Sequence, residues 1–335
     1  MLFRSSLVLC LNAAERDQLK VGVQADGRIV VPTNQILQPA GKQVTFPGRP
    51  VDLVLLDDGK TLVAKNMRDL VFIDLETGKI KQTLASTATG KGKAAAFSAV
   101  GLVAARDEVL VSDSQSGLRV AKRKADGTFA WKAEVALKPP AVGGAVYPTG
   151  LAFASDSTIV VCSSRGNELQ FLNALTGELV ARVPVGVAPY MPLVLGNKIY
   201  VSNWGGNTPA KDSSPLTTSG TPVQIDPRTN VANTGTVSVV EKVGDGWKQT
   251  MSIPVGGHPC GLAASPQGKL LYVANANSDT VSVIDTARDV VVETIDCKPD
   301  AKLPFGSGSN ALAVSPDGRS LFVANGTGNC VVIVR

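Results

Sequence analysis

Apolar and polar positions alternate along most of the chain in short runs. VSVID places Val281 and Val283 on one side and Ser282 on the other, the period of two of a half-buried strand. LLYVAN and SLFVAN are denser apolar runs, each ending on an asparagine. No long segment carries the 3.6-residue period of an amphipathic helix. Turn signals divide the runs: Asp58-Gly59, Gln267-Gly268 and Asp317-Gly318 supply the positive-φ residue that a tight hairpin needs. The pattern predicts many short antiparallel strands.

These strands recur as a repeat. GLAASPQGKLLYVANANSDTVSVIDTARDVVVETI starts at Gly261, and ALAVSPDGRSLFVANGTGNCVVIVR starts fifty residues later at Ala311. The second strand of each copy ends at Asn66, Asp113, Ser163, Asn203, Asn275 and Asn325. Short polar residues there can turn the chain by bonding its own backbone. The third strand ends eight to ten residues later in five copies, and thirty-eight later in the fourth. The fourth copy therefore holds an insertion over 205–234. A further turn and a fourth strand follow, as at residues 79–84 and 290–295. Four short strands per 40–50 residues predict an all-β fold, a β-propeller of four-stranded antiparallel blades with six repeats visible. A β-sandwich is the competitor, and the regular period argues against it.

The motifs LYVAN, FVAN and VSVID resemble the YVTN-type repeats of YncE-like propellers over residues from about 28 to 335. VPTNQILQPAGKQV, VSNWGG and SGTPVQIDPRTNVANTGTVSVV resemble bacterial proteins that join such a propeller to an alkaline-phosphatase-type phosphoesterase. That resemblance implies a seven-bladed family and a C-terminal phosphoesterase domain in the same full-length chain. Two accounts of the sixth copy stay open: closure of a six-bladed ring by a strand at 43–46, or a fragment of a larger protein.

Composition narrows the chemistry. Among 335 residues there is one histidine, His258, which is too few for a multi-histidine metal site within this chain. No metal site, cofactor or complete catalytic set is expected. Asp57-Asp58 reads as a turn former. A net charge of +5 is mild, and leaves nucleic acid an unsupported ligand. The basic cluster Arg119, Lys122, Arg123 and Lys124 reads as a solvated strand edge. No run of about 18 apolar residues predicts a membrane-spanning helix. Five widely spaced cysteines form no CxxC pair; Cys162 and Cys260 read as buried hydrophobes, and a Cys297–Cys330 disulfide is left open. Residues 1–14 resemble a clipped secretory signal, so the expected address is periplasmic or secreted, with the propeller over 15–335.

Binding sites are expected where repeats converge. Aligning on Pro50, Pro148, Pro189 and Pro259 makes Arg49, Tyr147, Ala188 and His258 equivalent, around one channel mouth. Arg49 could pair an anion, Tyr147 could stack or hydrogen-bond, and His258 could titrate near neutral pH. The insertion is the second candidate, with Asn203 and Trp204 at its base and Trp204 as aromatic anchor. The leading function is a non-catalytic scaffold or binding module, taking an unknown small-molecule or protein ligand. A free-standing propeller that binds ligand, peptide or single-stranded nucleic acid is the alternative, and a lactonase-like enzyme is the third.

Overall fold

The computed structural model describes residues 19–86, 96–114, 117–210, 215–218, 220–303 and 305–335. The 1–14 segment lies outside them. The chain divides into two compact units, Met1–Thr45 and Phe46–Arg335. In the first, Gly22–Val23, Ile29–Val30 and Ile36–Leu37 form a small antiparallel sheet. Residues 43–46, a candidate closing strand, are not in strand form; Gln43 instead bonds back to the carbonyls of Ala40 and Gly41.

The second unit is a β-propeller. Blade 1 runs Asp52–Leu55, Thr61–Lys65, Asp69–Asp74 and Ile80–Ala85, each strand bonded to the next. Blade 2 spans Phe97–Ala105 to Phe129–Ala136, and blade 3 Pro148–Ser155 to Leu179–Pro184. Blade 4 pairs Val187–Leu195, Lys198–Gly206, Gly235–Val243 and Gly246–Val255. Between its second and third strands lies the insertion, two hairpins at Leu216–Thr218 with Thr221–Val223 and Ile225–Asp226 with Val231–Ala232. Blade 5 spans Pro259–Ala264 to Val290–Asp296. Blade 6 has three strands among the described residues, ending at Cys330–Val334.

Both faces of an interior blade are apolar because strand alternation sends successive residues to opposite neighbours. In blade 2, Val109, Val111 and Ala121 pack on Val63, Leu70 and Phe72 of blade 1. Leu110, Leu118 and Val120, one residue out of step, pack on Leu151, Ile159 and Val161 of blade 3. The same device joins blades 3 and 4, 4 and 5, and 5 and 6. Each such fully buried side chain contributes about 1.5–3 kcal/mol. The end blades keep an apolar face in solvent: Leu53 is 58% exposed on blade 1, and Val331 is 60% and Ile333 50% exposed on blade 6.

The asparagines that close the second strands are struts. Asn203 and Asn275 are fully buried, and their amides donate to Ser238 and Ser282 of the neighbouring strand. Each lies against a glycine: a Cβ on Gly186 or Gly256 would sit 2.6 Å from the asparagine Cγ. Only glycine lets the chain entering the blade pass there.

Several local readings change. Arg119 is not on a solvated edge: it sits on the third strand of blade 2, 4% exposed, over the Trp131 ring and bonded to Glu134 and Ser86. Cys297 and Cys330 are free thiols, as are Cys162 and Cys260. Asp58 behaves as a turn former, accepting from the Lys60 and Thr61 amides at 2.8 Å. The largest surprise is Lys65, fully buried at a position that is Ser112, Cys162, Ser202, Ala274 and Ala324 in the other blades. Its ammonium crosses to blade 2 and donates to the Val100 carbonyl at 2.7 Å. Burial pulls its pKa down to about 7, although the charges of Asp52 and Asp113 oppose this.

Two predictions follow from these contacts. Between pH 7 and 10.5 the folded chain holds fewer protons at Lys65 than the unfolded chain, so stability rises with pH there, by at most about 1.4 kcal/mol per pH unit. Below pH 7 both states are charged and the penalty is constant. Urea midpoints across this range should rise for the wild type and stay flatter for Lys65→Met. Gly256→Ala should lower the unfolding free energy read from urea titration by about 1–3 kcal/mol through overpacking on Asn275, whereas Gly246→Ala, which faces open space, should not.

Candidate functional site

The chain enters blades 3, 4 and 5 through one conformation. Tyr147, Ala188 and His258 have φ of +50°, +54° and +55°, a left-handed backbone that few non-glycine residues adopt. Gly308, ahead of blade 6, matches them at +69°. The carbonyls of Tyr147, His258 and Gly308 each accept from the amide just past the second strand of their own blade, at 3.2, 3.1 and 2.9 Å. The equivalence of Tyr147, Ala188 and His258 therefore holds. Arg49 departs from it, because the left-handed residue before blade 1 is Gly48, with φ +117°.

These positions do not all meet. The His258 ring lies 4.3 Å from the Trp204 ring, and Trp204 stacks on Tyr190 at 4.4 Å with an interplanar angle of 26°. Tyr147 instead lies under the Arg165 guanidinium, 4.9 Å away. Arg49 is exposed, and its backbone amide donates to Asn66 Oδ1. Asn203 faces no ligand space, since its amide lies inside blade 4.

Trp204 does anchor the insertion. It packs with Val187 and Ala188 from the blade and with Val223 and Ala232 from the two hairpins. Thr221 of the first hairpin accepts from the Asn167 amide of blade 3 at 2.9 Å. The insertion is thus fixed on the face where the rings lie.

Tyr190 was missed in the sequence, and Cys260 was read only as a buried hydrophobe, which it is. They occupy one register position, directly after Pro189 and Pro259, so extending the alignment by one residue would have found them. Both are buried and pack together with Val100 and Trp204. Met191, next to Tyr190, lines a cavity of about 330 Å3 between the first strands of blades 1 to 4, with Asp52, Gly101 and Gly150.

The ring cluster carries no formal charge at neutral pH. Burial lowers the His258 pKa, so the imidazole is neutral. Burial pushes the Cys260 thiol up to about 12. It also raises the Tyr190 phenol, with the charges of Cys260 and Asp52 adding to the effect. The Trp204 indole N–H is buried with no hydrogen-bond partner among the described residues. It leans toward the Cys260 sulfur without ordinary hydrogen-bond geometry, and it favours the thiolate only weakly against burial. Neutral donors therefore gather around one stack: an N–H, an O–H and an imidazole. Among the described residues, no group of three or more His, Cys, Asp or Glu could hold a metal ion. No helix of the described residues is long and apolar enough to cross a membrane.

The fold defines the class: a β-propeller. No family model matches the chain, and no curated protein matches it. Solved structures do. A putative 6-phosphogluconolactonase from Bacteroides fragilis is 16% identical with a TM-score of 0.58, covering 85% of this chain and 79% of that one. The corresponding protein of Bacteroides uniformis is 14% identical with a TM-score of 0.58, covering 85% and 80%. The dihydro-heme d1 dehydrogenase NirN is 15% identical with a TM-score of 0.53, covering 81% of this chain; the chain spans about half, 52%, of its length. At these identities the likeness is one of fold.

The buried imidazole sets a pH dependence. The folded chain resists protonation at His258 more than the unfolded chain does, so this contribution is intact above pH 6.5 and is lost as pH falls below it. Urea midpoints should drop from pH 7.5 to pH 5, and His258→Gln should remove part of that drop.

Proposed function

We propose that the protein is a binding propeller that holds an uncharged, acceptor-bearing small molecule at the channel mouth. The observation that carries this is the Tyr190–Trp204–His258 stack, in which the rings are packed and the buried Trp204 indole N–H finds no hydrogen-bond partner among the described residues. Carbonyl or hydroxyl oxygens of a ligand would satisfy the indole N–H and the phenol O–H. An unsatisfied buried donor costs about 1–3 kcal/mol, which a ligand would recover on binding. The insertion supplies a wall of this site through Val223 and Ala232. A phosphoesterase domain in the same chain, membership of a YncE-like family and a periplasmic or secreted address belong to this reading as proposals on sequence resemblance alone.

A lactone hydrolase is the second reading, and the neutral imidazole favours it. His258 could take a proton from water as the water oxygen attacks a lactone carbonyl. The indole N–H and phenol O–H would stabilise the developing oxyanion, and the ring oxygen would leave with the proton to give a hydroxy acid. Two of the solved neighbours are named as putative 6-phosphogluconolactonases.

Titration calorimetry with glucono-1,5-lactone and with gluconate tests both readings. Binding without turnover, weakened about tenfold by Trp204→Phe, is expected, a loss of about 1.4 kcal/mol for one hydrogen bond. Hydrolysis abolished by His258→Gln would move the assignment to the enzyme. Binding untouched by Trp204→Phe and Tyr190→Phe would overturn the site.

A further inference from the structure

A second cavity, of about 450 Å3, lies on blade 5 and the loop that follows it. Its lining is polar except for one ring: Asn277, Thr280, Thr294, Asp296, Lys298 and Phe305. Strand register explains the gathering. Thr280 sits directly opposite Asp296 across the ladder, and Thr294 is two residues from Asp296, so all three share one face. Asn277 reaches the same place from the turn before Thr280.

Several of these groups are available to a ligand. Asp296 uses Oδ1 to accept the Lys298 amide at 2.9 Å, which leaves Oδ2. The Asn277 side-chain amide and the Thr294 hydroxyl belong to exposed residues and have no hydrogen-bond partner among the described residues. Phe305 is 72% exposed, one of the most solvent-exposed large apolar side chains on the molecule. Its ring is held in place by the Lys298 ammonium 5.2 Å away, which also donates to the Ala301 and Leu303 carbonyls at 3.4 and 3.5 Å. The ring and the cation over it both border the cavity.

We propose that this pocket binds a pyranose sugar. A carboxylate beside an amide is the pairing that a vicinal diol needs, because each hydroxyl both donates and accepts. A sugar also has an apolar face of C–H groups, and an exposed aromatic ring offers it a flat partner. The volume fits one or two hexose units. A phosphate-bearing ligand fits less well, since the only cation is bonded to backbone carbonyls and a carboxylate lies beside it. The proposal stands apart from the channel-mouth reading, because it uses none of the same side chains.

Saturation-transfer NMR with D-glucose, D-galactose, D-mannose and N-acetyl-D-glucosamine on the whole chain tests it. At least one sugar should give transfer, with the signal strongest on one face of the ring. Phe305→Ala should abolish the effect, and Asp296→Asn should weaken it about tenfold through loss of a charged hydrogen bond. Circular dichroism should stay unchanged, because both side chains are exposed. No transfer from any of the four sugars would overturn the proposal. So would transfer that survives Phe305→Ala and disappears in Trp204→Phe, which would place the sugar at the channel mouth.

Discussion

A four-stranded sheet with two apolar faces cannot be buried by folding on itself. It must lie between two others, and that requirement organises this chain. Alternation along each strand divides the side chains between the two neighbours, so Val109 and Val111 belong to one junction while Leu110 belongs to the next. A one-residue slip would exchange the junctions and place the wrong volumes in each core. A glycine-on-asparagine contact holds the register where blades 4 and 5 begin. At Gly186 and Gly256 the entering strand passes too close to Asn203 and Asn275 for any side chain. The asparagine amide then ties the second strand to the third. Packing between blades and register within them are therefore set by the same few residues.

The repeat was legible because it rests on local rules. Hairpin turns need positive φ, half-buried strands need alternation, and strand ends need short polar residues. All three show in single copies such as the one from Gly261. The insertion was legible as a change in spacing, and in the structure the second strand of blade 4 ends at Gly206 and the third begins at Gly235. Burial of charge was not legible. Lys65 reads as an ordinary polar residue after an apolar run, and nothing local shows that its ammonium will meet the Val100 carbonyl of the next blade. Arg119 likewise looks like part of a basic patch until Glu134 and Ser86 are brought to it by pairing and packing. Both depend on partners fifteen or more residues away.

The candidate site was half legible for a related reason. Repeat alignment gives equivalence of backbone, and Tyr147, Ala188 and His258 do share one left-handed conformation. Equivalence does not give contact. Along the series of blades, equivalent residues are separated by whole sheets, so Tyr147 finds Arg165 of its own blade while His258 finds Trp204 of the neighbouring one. Tyr190 completes the cluster from the next register position, which sequence alignment had placed beside the site without drawing it in.

Chemistry at the mouth is consequently a matter of substitution on a fixed frame. Before the inner strands of blades 3 to 6 the frame asks only for a residue that tolerates positive φ. Gly308 meets that demand without a Cβ, whereas Ala188, Tyr147 and His258 meet it at some conformational cost. What the side chain then contacts differs from blade to blade. For His258 that contact is Trp204, which also anchors the insertion. The insertion, the stack and the strained backbone thus converge on one side of the propeller, at the junction of blades 4 and 5.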